Sequence, residues 1–290
     1  MKSMFDTVYF DGVYKSKSEV SISPDDRGFL FGDGAYEVVV ALKGRYFRQR
    51  EHLERLNHSL SALRITGFDA FSLDPILDEL MVKNEVGSAD VTAYIQITRG
   101  VAARKHAFPS NDAAPTVFAQ LMPVVRDPTF KTGVSVITVP DTRWSRCDVK
   151  SISLLPNCLA NQLAQETGCI EAIFVRDGVV LEGTLSSFFA VFNGVARTAP
   201  KSNYILAGVT RQAVLDICQR EGIPCSEEPI YVTDLADAEE MFITGTTREI
   251  APIIRIDGKP VGGGQPGPFV RRLAELYRME AEAADRKSVV

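Results

Sequence analysis

Pro123-Val124-Val125-Arg126-Asp127-Pro128 sets two prolines and two charges within six residues. Proline withholds a backbone N–H and fixes φ, so neither a central strand nor a helix runs comfortably through such a stretch. The chain therefore reads as an N-terminal domain at residues 1–122, a linker at 123–131 and a C-terminal domain at 132–290.

Upstream of that boundary, Val91 to Thr98 alternates strictly. Val91, Ala93, Ile95 and Ile97 fall on one face and Thr92, Tyr94, Gln96 and Thr98 on the other, the period of a half-buried strand. Val8-Tyr9-Phe10 and Tyr36 to Leu42 also read as extended, with turns at Asp11-Gly12 and Lys43-Gly44, and Val117 to Met122 adds a further strand. Leu53, Leu56, Leu60 and Leu63 recur at helical spacing, and a second helix follows from Ser72. Downstream, a strand at Val134 to Val139 precedes a helix with Leu155, Leu159 and Leu163 on one face. Hairpin signals follow at Asp177-Gly178 and Asn193-Gly194. Thr210 reads as the N-cap of a helix ending at Gly222, and a last helix begins near Pro268. The fold class is α/β of the mixed α+β kind.

The 290 residues are 45% hydrophobic and 24% charged, the balance of a globular chain. A net charge of -5 without a basic stripe argues against a nucleic-acid partner. The opening Met1-Lys2-Ser3-Met4-Phe5-Asp6 lacks the apolar core of a secretion signal, and the apolar runs are strand-sized. A cytoplasmic protein with no membrane partner is expected. Cys147, Cys158, Cys169, Cys218 and Cys225 are odd in number and lack metal spacing, so buried reduced thiols are expected. His52 and His58 match no metal-ligand pattern and read as structural. No metal site is expected.

Individually the chemical signals are modest. Gly208-Val209-Thr210 offers a helix start where free amides and the helix dipole favour an anion, and equally an ordinary capped helix. Gly245-Thr246-Thr247 is a hydroxyl-bearing turn after a strand. Arg104-Lys105-His106 spaces two carboxylate-gripping side chains one residue apart, or is a solvated basic loop. Lys150 stands among small and apolar residues, where desolvation lowers an amine's proton affinity, although most lysines are solvated. Glu182 ends an apolar strand at a glycine.

Their order and wording, however, resemble one family. The match runs from Asp26-Arg27-Gly28-Phe29-Leu30-Phe31-Gly32-Asp33-Gly34-Ala35-Tyr36-Glu37 through Glu51-His52-Leu53-Glu54-Arg55-Leu56 and Arg143-Trp144-Ser145-Arg146-Cys147-Asp148-Val149-Lys150-Ser151. It continues at Glu182-Gly183-Thr184, Ile205-Leu206-Ala207-Gly208-Val209-Thr210-Arg211 and Thr244-Gly245-Thr246-Thr247-Arg248-Glu249. The chain resembles the class IV aminotransferases, the fold-type-IV pyridoxal-phosphate enzymes, and among them those acting on D-amino acids. The resemblance implies a homodimer with pyridoxal 5'-phosphate at the domain interface and Lys150 as the Schiff-base lysine and proton carrier. It implies that Glu182 pairs with the pyridine nitrogen and that Leu206 packs on the ring. Arg55, Gly208, Val209, Thr210 and Thr246 would hold the phosphate. Arg55 lies off the leucine stripe of its helix and is expected to be free to face an anion.

Tyr36, Tyr94, Arg104 and His106 stand where the D-amino-acid enzymes trap the substrate α-carboxylate. The implied reaction is a ping-pong exchange between a D-amino acid such as D-alanine and a 2-oxo acid, pyruvate or 2-oxoglutarate. An (R)-selective amine or branched-chain L-amino-acid aminotransferase remains the alternative within the fold, and a non-catalytic cofactor-binding protein the alternative of another class. Leu185, Gly245 and Val40 depart from the D-amino-acid pattern, which bears on cofactor hydrogen bonding and side-chain selectivity.

Overall fold

The computed structural model describes residues 5–109, 113–125 and 127–283. Met1 to Met4 of the N-terminal reading and Arg126 of the linker lie outside the described residues. By its contacts the chain divides into two compact units, Met1–Val124 with Val149–Ser153, and Val125–Asp148 with Leu154–Val290. Each mixes helix and strand.

The first unit is built on a six-stranded antiparallel sheet. Its order is Val13–Ser16, Thr7–Phe10, Thr116–Pro123, Val91–Thr98, Gly34–Leu42 and Arg45–Tyr46. Of strand Val91–Thr98, the apolar face Val91, Ala93, Ile95 and Ile97 is fully buried and meets Leu53, Leu56 and Leu60 of helix Gln49–Ala62, while on the polar face Tyr94 and Gln96 are half-buried and Thr92 and Thr98 buried too. Helix Asp74–Lys83 adds Leu77 and Leu80 to the same core. Lys43 and Gly44 both take positive φ, 50° and 80°, the turn that a tight hairpin demands.

The second unit carries a ten-stranded mixed sheet. Ser187–Phe192, Glu240–Gly245, Glu249–Ile256, Val134–Pro140, Glu171–Arg176 and Val179–Gly183 pair in that order, and Ser187 pairs back to Glu182, so these six strands close on themselves. Val136, Ile173, Val180, Phe188, Ala190, Ile243 and Ala251 are buried in their core. Val134–Pro140 and Glu171–Arg176 are parallel, and helix Leu155–Glu166 lies between them in the chain, as a parallel connection requires. That helix packs Ala160 and Ala164 against Val139, Ala172 and Phe174. Its leucines Leu155, Leu159 and Leu163 are exposed by 69%, 64% and 46%.

Three expectations change. Lys150, read as part of the C-terminal domain, belongs by contact to the first unit. Tyr36 N donates to Lys150 O at 3.0 Å, Ile152 N donates to Gly34 O at 3.1 Å, and Ala35 bridges Ser151. The helix predicted to be capped by Thr210 is capped by Gly208 and spans Val209–Glu221, with no side-chain cap bond. Of the free cysteines, Cys147 and Cys218 are buried, whereas Cys158 is exposed and Cys169 and Cys225 are intermediate. No helix among the described residues is long and apolar enough to cross a membrane.

Candidate active site

Strand Gly34–Leu42 places Glu37 inward, and its carboxylate is fully buried. Helix Gln49–Ala62 supplies the partners. Arg55 donates to it through Nε at 2.9 Å and Nη2 at 2.7 Å, and His52 Nδ1 lies 3.1 Å away. Burial alone would raise the proton affinity of Glu37, but Arg55, His52 and Lys150 outweigh it and hold the carboxyl far below its usual range. Burial pushes the His52 imidazole down against the pull of Glu37. Arg55, expected to be free to face an anion, is thus gripped in the plane of its guanidinium by an internal acid. The imidazole read as structural belongs to the same network.

The segment bearing Lys150 joins this network as an added edge beside Gly34–Leu42. Its amide donates to Ser59 Oγ at 3.0 Å, and its Nζ sits 4.3 Å from the centroid of the Tyr36 ring. Tyr36 and Tyr94 face each other at 6.0 Å, and Tyr94 donates its hydroxyl to Gln96 Oε1 at 2.6 Å. Burial, with Tyr36 nearby, pushes the Tyr94 phenol up to about 12. Lys150 is thus a half-buried lysine whose amine lies on an aromatic face, with the buried Glu37 carboxylate near.

Arg104 and His106 form a second cluster in the same unit, both against Phe31: the Arg104 guanidinium is 5.4 Å from its centroid and the His106 ring 5.8 Å. Both are exposed. The structure gives no hydrogen bond or ring contact joining this pair to Tyr36, Tyr94 or Lys150 among the described residues.

In the second unit Glu182, near the end of strand Val179–Gly183, is buried with both oxygens engaged. Arg143 Nη1 donates to Oε1 at 2.5 Å and the Leu206 amide to Oε2 at 3.0 Å. Arg143 is fixed in turn by Asp141 through Nε at 2.9 Å and stacks on Phe174 at 4.1 Å. Burial lowers an arginine's proton affinity, but Glu182 and Asp141 raise that of Arg143 by more, so the guanidinium keeps its charge. Burial also pushes the neighbouring Cys147 thiol up to about 11, so it is inert as a nucleophile near neutral pH.

The turn after Glu182 is held by buried Glu171, which accepts from Leu185 N at 2.5 Å and Ser186 Oγ at 2.9 Å and pairs with Arg248. Close by in the fold lies the start of helix Val209–Glu221. A Cβ added to Gly208 would stand 2.6 Å from Ser187 Oγ, and Ser187 is the cross-strand neighbour of Thr244. Thr244 Oγ1 is buried without a hydrogen-bond partner. Thr246 is half-buried in the turn that follows, and Leu206 half-buried two residues before Gly208.

Sequence reasoning passed over Glu37, Glu171 and Arg143 as individual site residues. One signal was available: Glu37 interrupts the apolar run Ala35-Tyr36-Glu37-Val38-Val39-Val40, and a charge in a buried strand needs a partner.

The chain is similar to known proteins along nearly its whole length. The family described as Amino-transferase class IV matches residues 34–256. The chain is 39% identical to the D-alanine aminotransferase of Bacillus licheniformis over 284 residues, 97% of this chain and 99% of that one. It is 37% identical to the D-alanine aminotransferase of Staphylococcus haemolyticus over 278 residues, 95% and 98% of the two chains. Among solved structures it is similar to the branched-chain aminotransferase of Thermoproteus uzoniensis crystallised with norvaline, at a TM-score of 0.86 and 27% identity over 97% of this chain and 96% of that one. With a family match that runs through both sheets and relatives aligned nearly end to end, the chain belongs to the class IV aminotransferases.

Proposed function

We propose that this enzyme moves amino groups between D-amino acids, D-alanine foremost, and 2-oxo acids such as pyruvate or 2-oxoglutarate, using pyridoxal 5'-phosphate. The observation that carries the reading is the placement of Lys150 Nζ 4.3 Å from the Tyr36 ring in the electrostatic field of Glu37, in a chain aligned end to end with D-alanine aminotransferases. The residues present suit the cofactor. An uncapped helix start without a Cβ at Gly208 and an unpartnered buried hydroxyl on Thr244 are donors suited to a phosphate, and buried Glu182 is an acceptor suited to a protonated ring nitrogen.

Bound pyridoxal phosphate supplies an electron-accepting ring that stabilises negative charge at the substrate α-carbon. Lys150 Nζ carries the proton to and from that carbon. Glu182 would accept from the ring nitrogen, with Arg143 holding the carboxylate in place. In the first unit Arg55 presents positive charge to the phosphate, its orientation fixed by Glu37. In the second unit, the amides of Gly208, Val209 and Thr210 and the Thr246 hydroxyl would offer donors to a phosphate, and Leu206 an apolar side chain to the ring. Tyr36, Tyr94, Arg104 and His106 receive the substrate α-carboxylate.

The finer reading includes a homodimer in the cytoplasm. Three exposed leucines at positions i, i+4 and i+8 of helix Leu155–Glu166 support an apolar contact, and free thiols suit a reducing compartment. A donor panel of D-alanine, L-alanine, L-leucine and (R)-1-phenylethylamine tests the activity, with borohydride trapping of the cofactor on Lys150 to test the attachment. D-alanine is expected to be the best donor; preference for L-leucine or the amine overturns the substrate assignment.

A further inference from the structure

The loop at 101–109 that bears Arg104 and His106 is largely exposed, yet beyond its start, where Ala102 N donates to Asp25 O, side chains fasten it at the centre of the pair and past it. Arg27, buried in the short helix Arg27–Phe31, donates Nη1 to the carbonyl of Lys105 at 2.6 Å. Lys105 is the residue between Arg104 and His106, so this bond pins the backbone at the centre of the pair. Three residues after Lys105, the centroid of the Phe108 ring lies 3.6 Å from Arg99 Cζ.

Arg99 is prepared for that contact. Its Nε and Nη2 donate to Asp33 at 2.8 and 2.9 Å, its Nη1 to Arg64 O at 2.8 Å and its Nη2 also to Leu63 O at 2.7 Å. Every one of these bonds lies at the edge of the guanidinium. Its planar face is left for an aromatic ring, where cation–π attraction acts. Asp33 also accepts Arg27 Nε at 2.8 Å, so one carboxylate serves two guanidiniums and the site keeps a positive excess. Arg27 and Arg64 stand 5.9 and 5.6 Å from the same ring. Although the Phe108 side chain is 48% exposed, three guanidiniums stand about its ring, and the contact that holds it is to its π face.

We infer that Phe108, seated on Arg99, together with the Arg27 bond to Lys105, is a positioning device that sets how Arg104 and His106 meet the substrate carboxylate. The inference rests on the proposed function of that pair. Phe108 touches no substrate in this scheme; it acts through the loop. A leucine at 108 would keep an apolar side chain of similar bulk and lose the π face, while tryptophan would keep both.

The test uses the holoenzyme with Phe108→Leu, Phe108→Trp and Arg104→Ala. The readouts are donor KM and kcat with D-alanine and the rate of trypsin cleavage after Arg104 and Lys105. Phe108→Leu is expected to raise the D-alanine KM about fivefold, about 1 kcal/mol, with kcat kept, and to speed trypsin cleavage. Phe108→Trp is expected to match the parent in both. Wild-type KM and cleavage in Phe108→Leu, or a tryptophan variant no better than leucine, overturns the inference. If Arg104→Ala leaves the D-alanine KM unchanged, the carboxylate role of the pair fails and the positioning role with it. If Arg104→Ala raises KM and Phe108→Leu does not, only the positioning role fails.

Discussion

Glu37 and Arg55 are joined by two parallel hydrogen bonds, at 2.9 and 2.7 Å, although 18 residues separate them in the chain and Glu37 has no contact with solvent. A planar guanidinium held this way cannot swing, so the direction in which its remaining charge acts is decided by the acid behind it.

Replacing Glu37 with glutamine keeps the shape and removes the charge. Arg55 and His52 then lose their shared partner inside the core, a loss of about 3–5 kcal/mol for a broken buried pair. The expected outcome is a lower Tm and a weaker grip on pyridoxal phosphate, read by thermal melts with and without added cofactor. Melts that coincide with the parent under both conditions would show that the pair is not what fixes Arg55.

The same network sets an acid sensitivity. Glu37 has a folded-state proton affinity below its unfolded value, so its contribution to stability is present above the ordinary carboxylate range and is lost as pH falls toward the folded value. His52 is also depressed by burial, so folding weakens as pH drops below the ordinary imidazole value, where the unfolded chain takes up a proton that the folded chain refuses. Urea midpoints at about pH 7, about pH 5.5 and about pH 4 should decline in that order. Glu37→Gln should flatten the lower part of the decline, since the carboxylate that drives it is gone. An equal slope in both proteins would place the acid sensitivity elsewhere.

What could be read in the sequence was what short-range periodicity and turn chemistry dictate. Val91 to Thr98 showed its buried face because side chains alternate, and Asp177-Gly178 and Asn193-Gly194 showed their turns because both pairs sit at positive φ, 52° and 78°, 50° and 73°. Lys150 and Glu182 were singled out chiefly through family wording; the small and apolar neighbours of one and the apolar strand of the other are weak signals alone. What escaped was long-range pairing. The partner of Arg55 lies on a strand, not on its own helix. Lys150 follows the linker in sequence, but its backbone bonds run back to Tyr36 and Ser59 in the first unit. The leucines of helix Leu155–Glu166 carry a clear stripe, yet the small residues Ala160 and Ala164 make the buried contact, because a helix pressed closely on a sheet leaves room for little more. Thr210 was assigned the cap because hydroxyls are good caps; the chain instead leaves the first turn uncapped by side chains, at Gly208.

That uncapped start gives the last prediction. Gly208 has φ -64° and ψ 131°, a conformation open to any residue, so its backbone does not explain a glycine there. Space does. A Cβ would stand 2.6 Å from Ser187 Oγ and 3.2 Å from Arg211 Cβ, and Ser187 is itself buried. Gly208→Ala is therefore expected to keep the helix, with an unchanged far-ultraviolet circular dichroism spectrum, while displacing the Ser187 hydroxyl and weakening cofactor affinity about tenfold, about 1.4 kcal/mol. Adding Ser187→Ala opens the space again. If crowding is the cause, the double variant recovers part of the affinity lost by Gly208→Ala, and the two changes are not additive. If the double variant binds more weakly than either single one, Ser187 is needed for its hydroxyl and not merely for the room it leaves, and the glycine serves close approach to the bound phosphate instead.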